Sequence, residues 1–413
     1  MILVLPDSIA QTQLACDKHA LKILSCIVAR QVIQVAKWRS AEHRKGEPNT
    51  LEEVRREYAH VHWKELNAIT GNHAQVMREL VKERLVEVNS RYSNRQGAAF
   101  TKSYRLHPNC WNDGLILANL KQRKTRRKSK MRSGVFTPSH ESASYWLDSF
   151  DLPEDLLQEY EIVCSNSKWP DLQRAAIAEI NQKVWWRKVD GNGRFHTPFT
   201  NLNKQLRVML CCDGSGVVGF DFRNFQPALL TLYPNNRIAI VIPTDEQDFY
   251  CSLCKSGTLY DFMLQETNHS TRDEVKVEFL KMLNDKNHRM QRMDVWKVFT
   301  RHFPTYSRLV QEIKKHDHRA MATFLQQLES EIMFGDVISR FRELTLDRSP
   351  FFTCHDSIYT LKQSRNLLHQ SMMETIQTRK IPTVLEQEGD DSITCNQPSI
   401  YATMNQLNLR LSL

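Results

Sequence analysis

Residues 351–360 read FFTCHDSIYT, two short strand-like runs that meet at the polar pair His355 and Asp356. Aromatic and β-branched residues on either side of so brief a break predict two buried strands joined by a turn, with Asp356 in the turn. A second aspartate has a matching position. VVGFDF at 217–222 predicts another buried strand with Asp221 at its end, and FQPALLTLY at 225–233 continues as a helix. A carboxylate at a strand end can face a ligand instead of the core. Phosphoryl transfer needs little covalent help from a protein, but it needs metal ions that bridge phosphate oxygens. Two carboxylates converging on magnesium ions roughly 3.5–4 Å apart supply them. Taken singly, either aspartate also reads as a turn or cap residue.

Outward from these strands the pattern is mixed. Helical periodicity runs near 152–163, 169–186, 272–284 and 319–342. Helices interleaved with a few short strands predict an α+β domain on a small antiparallel sheet. In TRDEVKVEFLKMLND at 271–285, Arg272 and Lys276 are four apart, and Leu280 and Asn284 continue the same face. Such a face can grip a triphosphate: Arg offers a fork of donors to phosphate oxygens, and Lys a point charge that can also protonate departing pyrophosphate. The alternative is a surface helix whose Asp273 and Glu274 pair with neighbouring bases.

The N-terminal part reads differently. Helical spacing runs from Leu14 through Val35, and Thr50 with Glu53 forms a capping box before Val54. Two short helices follow, Trp63–Ile69 and Ala74–Leu85, separated by Gly71 and Asn72, the second with Val76, Met77, Leu80 and Val81 on one face. LVEVNSRYS and FTKSYRL then alternate like strands around NRQGAA. Helix, turn, helix and a two-stranded wing make the outline of a winged helix. Over residues 50–108 it resembles plasmid and phage replication initiators and small DNA-binding regulators. That resemblance implies that the helix from His73 to Arg84 faces a major groove while Arg91, Arg95 and Lys102 lie along phosphates. A helical domain whose hairpin contacts only the rest of the chain is the alternative.

Composition agrees with a nucleic-acid-binding protein. The 413 residues carry a formal charge of +9, which favours polyanions. KQRKTRRKSKMR at 121–132 holds eight Lys or Arg, suited to phosphate contact or to a solvated linker. No run of 18 apolar residues occurs, and the opening MILVLPDSIAQTQ lacks the basic start of a secretory signal, so no membrane association and a cytoplasmic location are expected. Ten cysteines without repeated spacing read as reduced thiols, with Cys251 and Cys254 in packing or loop roles rather than on a metal.

Taken in order, the elements resemble the family A DNA polymerases and the related single-subunit, phage-type RNA polymerases. The resemblance spans residues 190–362. GRFHTPFTNL at 193–202 matches the family's segment on the primer and template backbone, implying that role for Arg194 and Asn201. FDFRNFQPALL is similar to motif A, with Asp221 as the first metal ligand and Gln226 where DNA polymerases place a Glu beneath the sugar. The helix from Arg272 is similar to the fingers helix of motif B, which puts Arg272 and Lys276 on the incoming triphosphate. Here the chain departs from the family, since Asn284 and Asp285 stand where Tyr-Gly is expected. HRAMATFLQQLESEIM at 318–333 resembles the long palm helix, with Arg319 and Gln327 on the primer or template minor groove. CHDSIYT resembles motif C, with His355 near the primer end and Asp356 as the second metal ligand.

The resemblance implies a winged-helix-like DNA-binding domain over 1–110, a basic linker over 111–150, and a minimal palm with helical fingers over 151–413. The family's proofreading domain has no counterpart, and the thumb must be small. The implied activity is DNA-directed DNA synthesis for a plasmid, phage or mobile element, from a DNA primer-template and nucleoside triphosphates, with two Mg2+ ions as cofactor. Gln226 would exclude ribonucleotides, with Asn284 hydrogen-bonding it in place of the missing Tyr; packing of Gln226 beneath Pro227 is the alternative. Ser357 after His355 and Asp356 is closer to the phage-type RNA polymerases, so RNA synthesis or priming is a second reading. A non-catalytic replication initiator with a degenerate palm is a third.

Overall fold

The computed structural model describes residues 2–7, 9, 17–41, 51–91, 102–111, 114–119, 131–183, 186–233 and 240–389. The chain opens with β1 (Ile2–Pro6), buried throughout, and the long helix α1 (Lys18–Ala41). Helix α2 (Leu51–Arg56) and strand β2 (Ala59–His60) lead into α3 (Trp63–Ile69) and α4 (His73–Lys82), with the turn between them at Gly71 and Asn72. Strands β3 (Val86–Asn89) and β4 (Ser103–Leu106) pair antiparallel with Val86 opposite Leu106. Strand β2 takes the other edge of β4, giving the order β2-β4-β3. The helix-turn-helix and its following hairpin thus form where the periodicity places them. Arg95 and Thr50 lie outside the described residues. Val76, Met77 and Leu80 of α4 are buried, whereas Val81, grouped with them above, is 40% exposed one residue before the helix end.

Strand β5 (Leu115–Asn119) pairs antiparallel with β1, Ile2 opposite Asn119. Strand β6 (Met131–Ser133) and helix α5 (Pro138–Trp146) follow, the helix closed by a capping box between Thr137 and His140. The stretch 111–150 expected as a linker therefore carries two strands and a helix, because β-branched and aromatic residues flank its charges. Its basic positions 121–130 lie outside the described residues. Helices α6 (Leu157–Ser165) and α7 (Pro170–Gln182) come next, and Ala175 through Ile180 of α7 bury against α1 and β1.

Helix α1 is the spine. One side packs on β2, α3, α4 and β4, the other on β1 and α7, and Ile23, Leu24, Ile27 and Val28 are fully buried. Among the described helices it alone is long and apolar enough to cross a membrane, yet most of that window is buried in the fold, as in a core helix. Its Arg30 is shared by two buried carboxylates, Glu65 of α3 at 3.4 Å and Glu179 of α7 at 3.0 Å. Trp186 Nε1 also donates to Glu179, at 3.2 Å.

The second half is built on a small antiparallel sheet. Strand β7 (Trp186–Val189) pairs with β6 in parallel and with β8 (Phe195–His196) antiparallel. Then come α8 (Lys204–Val208), β9 (Cys211–Cys212), the eight-residue β10 (Ser215–Phe222) and α9 (Phe225–Leu230). Six helices follow: α10 (Thr244–Ser256), α11 (Leu259–Leu264), α12 (Arg272–Asn284), α13 (Asn287–Met290), α14 (Asp294–His302) and α15 (Pro304–Ile313). Their core is aromatic, Tyr250 meeting Phe299, Phe303 and Tyr306. Helix α16 (Ala320–Ser330) runs through a π-helical segment, Glu331–Val337, into α17 (Ile338–Leu344). Strands β11 (Phe351–Cys354) and β12 (Ser357–Leu361), helix α18 (Arg365–Arg379) and strand β13 (Leu385–Glu388) complete the described chain. The sheet order is β11-β12-β10-β13, with β9 also on β10. Mixed helices and small antiparallel sheets give the α+β class.

Burial raises the Glu65 and Glu179 carboxyls above their usual range, and Arg30 pulls both back. Arg30→Met strands two buried carboxylates, which is expected to cost about 3–5 kcal/mol at neutral pH. Because the folded form would then hold these protons more tightly than the unfolded one, stability is favoured below about pH 4.3 and lost as pH rises through the raised folded pKa. The deficit against wild type should therefore shrink on acidification, as read by urea denaturation at the two pH values.

Candidate active site

Strands β10 and β12 pair with Asp221 opposite Ser357, and β11 closes onto β12 with Cys354 opposite Ser357. Only His355 and Asp356 remain for the turn. Asp356 is therefore one residue from the partner of Asp221, and the two half-buried carboxylates share one end of the sheet. Ser357 Oγ donates a 2.8 Å bond to Asp221 Oδ1. Burial first, then the charge of Asp356, pushes the Asp221 carboxyl well above its usual range. Burial and the charge of Glu329 push Asp356 up likewise, and Lys276 opposes both shifts. His355 takes a left-handed φ of 57° at the first turn position, where glycine is the easier occupant.

The register is held by packing. Val217, Val218, Phe220 and Phe222 are all buried, and a Cβ on Gly219 would lie 2.5 Å from the Tyr359 ring, so only glycine lets that ring cross the strand. Tyr359 hydrogen-bonds Glu388 of β13 and accepts from Arg207 Nη1 at 2.8 Å, and Lys204 pairs with Glu388 at 3.3 Å.

Lys276 is exposed on α12, and its charge reaches both aspartates. Arg272, one turn earlier, pairs with Asp261 at 3.4 Å and lies over the Tyr260 ring at 5.2 Å. A capping box between Thr271 and Glu274 starts the helix just ahead of it. Asn284 does not reach Gln226. It is exposed at the last helical position, where its Nδ2 donates 2.6 Å back to the Leu280 carbonyl, one turn earlier in the same helix. The Gln226 Nε2 donates 3.2 Å to Oε2 of the buried Glu329.

Arg194 sits in the β7–β8 turn, its guanidinium 2.8 Å from the same Glu329 oxygen. The Asn201 carbonyl accepts from Gln173 Nε2 at 3.0 Å, and its own Nδ2 is buried without a hydrogen-bond partner among the described residues. Arg319 caps α16 at its exposed start, and Gln327 is exposed farther along that helix. The fold thus gathers Asp221, Asp356, Lys276, Arg194 and Gln226 at one end of the sheet, while Asn284 turns to its own helix.

Glu329, which holds both Arg194 and Gln226, is a residue the sequence reading does not single out. Its signal is positional: it continues the stripe of buried Met321 and Leu325 at four-residue steps, so a charge stands at a core position. Cys251 and Cys254 both lie on α10, with Cys254 buried, and no cluster of three or more His, Cys, Asp or Glu fit for a metal occurs among the described residues.

No protein-family model and no curated protein matches the chain. Matching solved structures include the POL domain of Pol1 from M. smegmatis in complex with DNA primer-template and dNTP, at 12% identity and a TM-score of 0.38. The match covers 56% of this chain and 54% of that one, about half of each. So slight a likeness assigns neither fold nor activity.

Two like charges held together in a half-buried site destabilise the protein that holds them. Asp356→Asn is expected to raise the unfolding midpoint in EDTA, by about 1 kcal/mol of added stability. Thermal unfolding checks it; a lowered midpoint would mean that the two carboxylates do not repel.

Proposed function

We propose that the chain is a template-directed nucleotidyltransferase, a DNA-directed DNA polymerase that extends a primer with deoxynucleoside triphosphates in magnesium. One observation carries the reading: Asp221 and Asp356 converge across one strand pair, in each other's field, with Lys276 as a nearby cation. Paired carboxylates in that state fit divalent cations, whose charge relieves the repulsion. Magnesium held by Asp221 and Asp356 would supply Lewis-acid stabilisation of phosphate oxygens and a more acidic primer hydroxyl.

The chain's own residues supply the rest. Lys276 and Arg272 lie one turn apart on α12, spaced to bind a triphosphate from one side, Arg272 exchanging Asp261 for phosphate oxygens. Lys276 would hold the proton that departing pyrophosphate takes up. Gln226 would stand under the sugar, and Arg194, Asn201, Arg319, Gln327 and His355 would orient primer and template. RNA synthesis is the second reading, favoured by Ser357, whose hydroxyl is committed to Asp221.

Wild type should extend a labelled primer-template with dNTPs in preference to rNTPs, and EDTA should stop it. Asp221→Asn or Asp356→Asn should lower the rate by orders of magnitude without unfolding the protein. Near wild-type extension by either variant would remove that carboxylate from the chemistry. A preference for rNTPs would favour the second reading, and duplex binding without any extension the non-catalytic one.

The N-terminal helix-turn-helix is proposed as a duplex grip, with α4 in the major groove. Arg78 and Lys82 are exposed on it, one turn apart. If both touch phosphates, replacing both with Ala should flatten the slope of log affinity against log salt by about 0.9 per contact. An unchanged slope would assign this face to another partner.

A further inference from the structure

Three elements meet at one buried carboxylate. Glu329, on the last turn of α16, is 3% exposed, and its Oε2 accepts 2.8 Å from Arg194 Nη2 and 3.2 Å from Gln226 Nε2. Arg194 comes from the turn between β7 and β8, and Gln226 from the first turn of α9. Gly193 permits the approach, because a Cβ there would stand 3.1 Å from Ser330 Cβ. Helix α16 also packs against α9 and α12, so Glu329 lies where the hairpin, the segment after Asp221 and the triphosphate-facing helix converge.

A stabilising ion pair is the ordinary reading of such a group, and it explains little here. Burying a carboxylate and a guanidinium costs about as much as their attraction returns, and well-packed apolar residues often do as well. Glu329 Oε1 is also buried without a hydrogen-bond partner among the described residues, which adds to the cost. What the arrangement does achieve is orientation. A glutamine amide can turn either end toward a neighbour, and with Nε2 committed to Glu329, Gln226 keeps its oxygen for the opposite side. The expected brace from Asn284 is missing, because that side chain is engaged by the Leu280 carbonyl.

Resting on the nucleotidyltransferase reading above, we infer that Glu329 is a positioning residue for sugar selection. It fixes the Gln226 amide across the space that a ribose 2′-hydroxyl would enter. Through Arg194 it couples that fixation to the hairpin proposed to meet the primer strand. A gate of this kind acts by exclusion, so loosening it raises use of the excluded sugar more than it lowers use of the favoured one.

Glu329→Gln is nearly isosteric but removes the charge from the one oxygen that Gln226 and Arg194 both address, so both are held more weakly. The ratio of rNTP to dNTP efficiency should rise about tenfold, the order expected when a hydrogen bond to a buried charge becomes a neutral one. The change should fall mainly on KM for rNTPs. Gln226→Leu, which leaves the buried pair intact, should raise the ratio similarly, and the double variant should add little. Loss of the Glu329 charge beside Asp356 would alter rates with both sugars alike, so the ratio isolates positioning.

Equilibrium binding of ATP and dATP by calorimetry, in magnesium, runs beside extension on the same proteins. A wild type that extends nothing yet binds dATP over ATP, with the difference lost in both single variants, would remove the polymerase reading and keep this role for Glu329. Equal effects on both sugars, additive variants, or a wild type that binds neither nucleotide would overturn the role. If Glu329→Gln does not fold, Gln226→Leu decides alone: an unchanged ratio overturns the inference.

Discussion

The antiparallel register between β10 and β12 is the constraint on which the site depends. A slip of one residue would send Asp221 to the opposite face of the sheet and separate it from Asp356. At the site itself the Ser357 bond to Asp221 and the charge of Lys276 work against the mutual repulsion of the carboxylates and the left-handed conformation of His355. The register is enforced from behind by four buried residues of β10, by the Tyr359 ring over Gly219, and by the Tyr359, Glu388 and Arg207 bonds. Packing on one side offsets repulsion on the other, a distribution common where a protein stores strain for use.

Support for the hairpin that carries Arg194 comes from an unexpected quarter. His140 Nε2 of α5 donates a 3.0 Å hydrogen bond to the Gly193 carbonyl, and its ring stacks on Phe334 at 3.9 Å. Phe334 belongs to the π-helical segment that follows Ser330, where the helix widens by one residue per turn. The widening begins two residues after Glu329, and Phe334 meets Phe195 of β8, the neighbour of Arg194. A helix from the stretch between the two halves is thus part of the wall behind the site.

Much of this was readable in the chain because the informative stretches are short and locally decided. Apolar runs broken by one polar pair announce β11, β12 and the Asp356 turn, and the i, i+4 spacing of Arg272 and Lys276 survives as a helix face. The failures are failures of long-range information. Glu329 is 108 positions from Asp221 in the chain and stands among ordinary helix formers, so only its place on a buried stripe marks it. The bond of Asn284 to the Leu280 carbonyl of its own helix leaves no mark in the sequence that separates it from a bond to Gln226. Residues 111–150 read as a linker because charge dominates their composition, while the pairing of β5 with β1 joins positions over a hundred apart.

Helix α1 gives the molecule a built-in ruler. From α4 the path runs through α1 and Arg30 to Glu179, then to Trp186 at the start of β7, with packed or ion-paired side chains at each step. A hinge along that path would have to break buried contacts, so the spacing between the helix-turn-helix and β7 is set by the fold. If the proposed duplex grip at α4 holds, the count of base pairs between it and β7 would be a property of one helix.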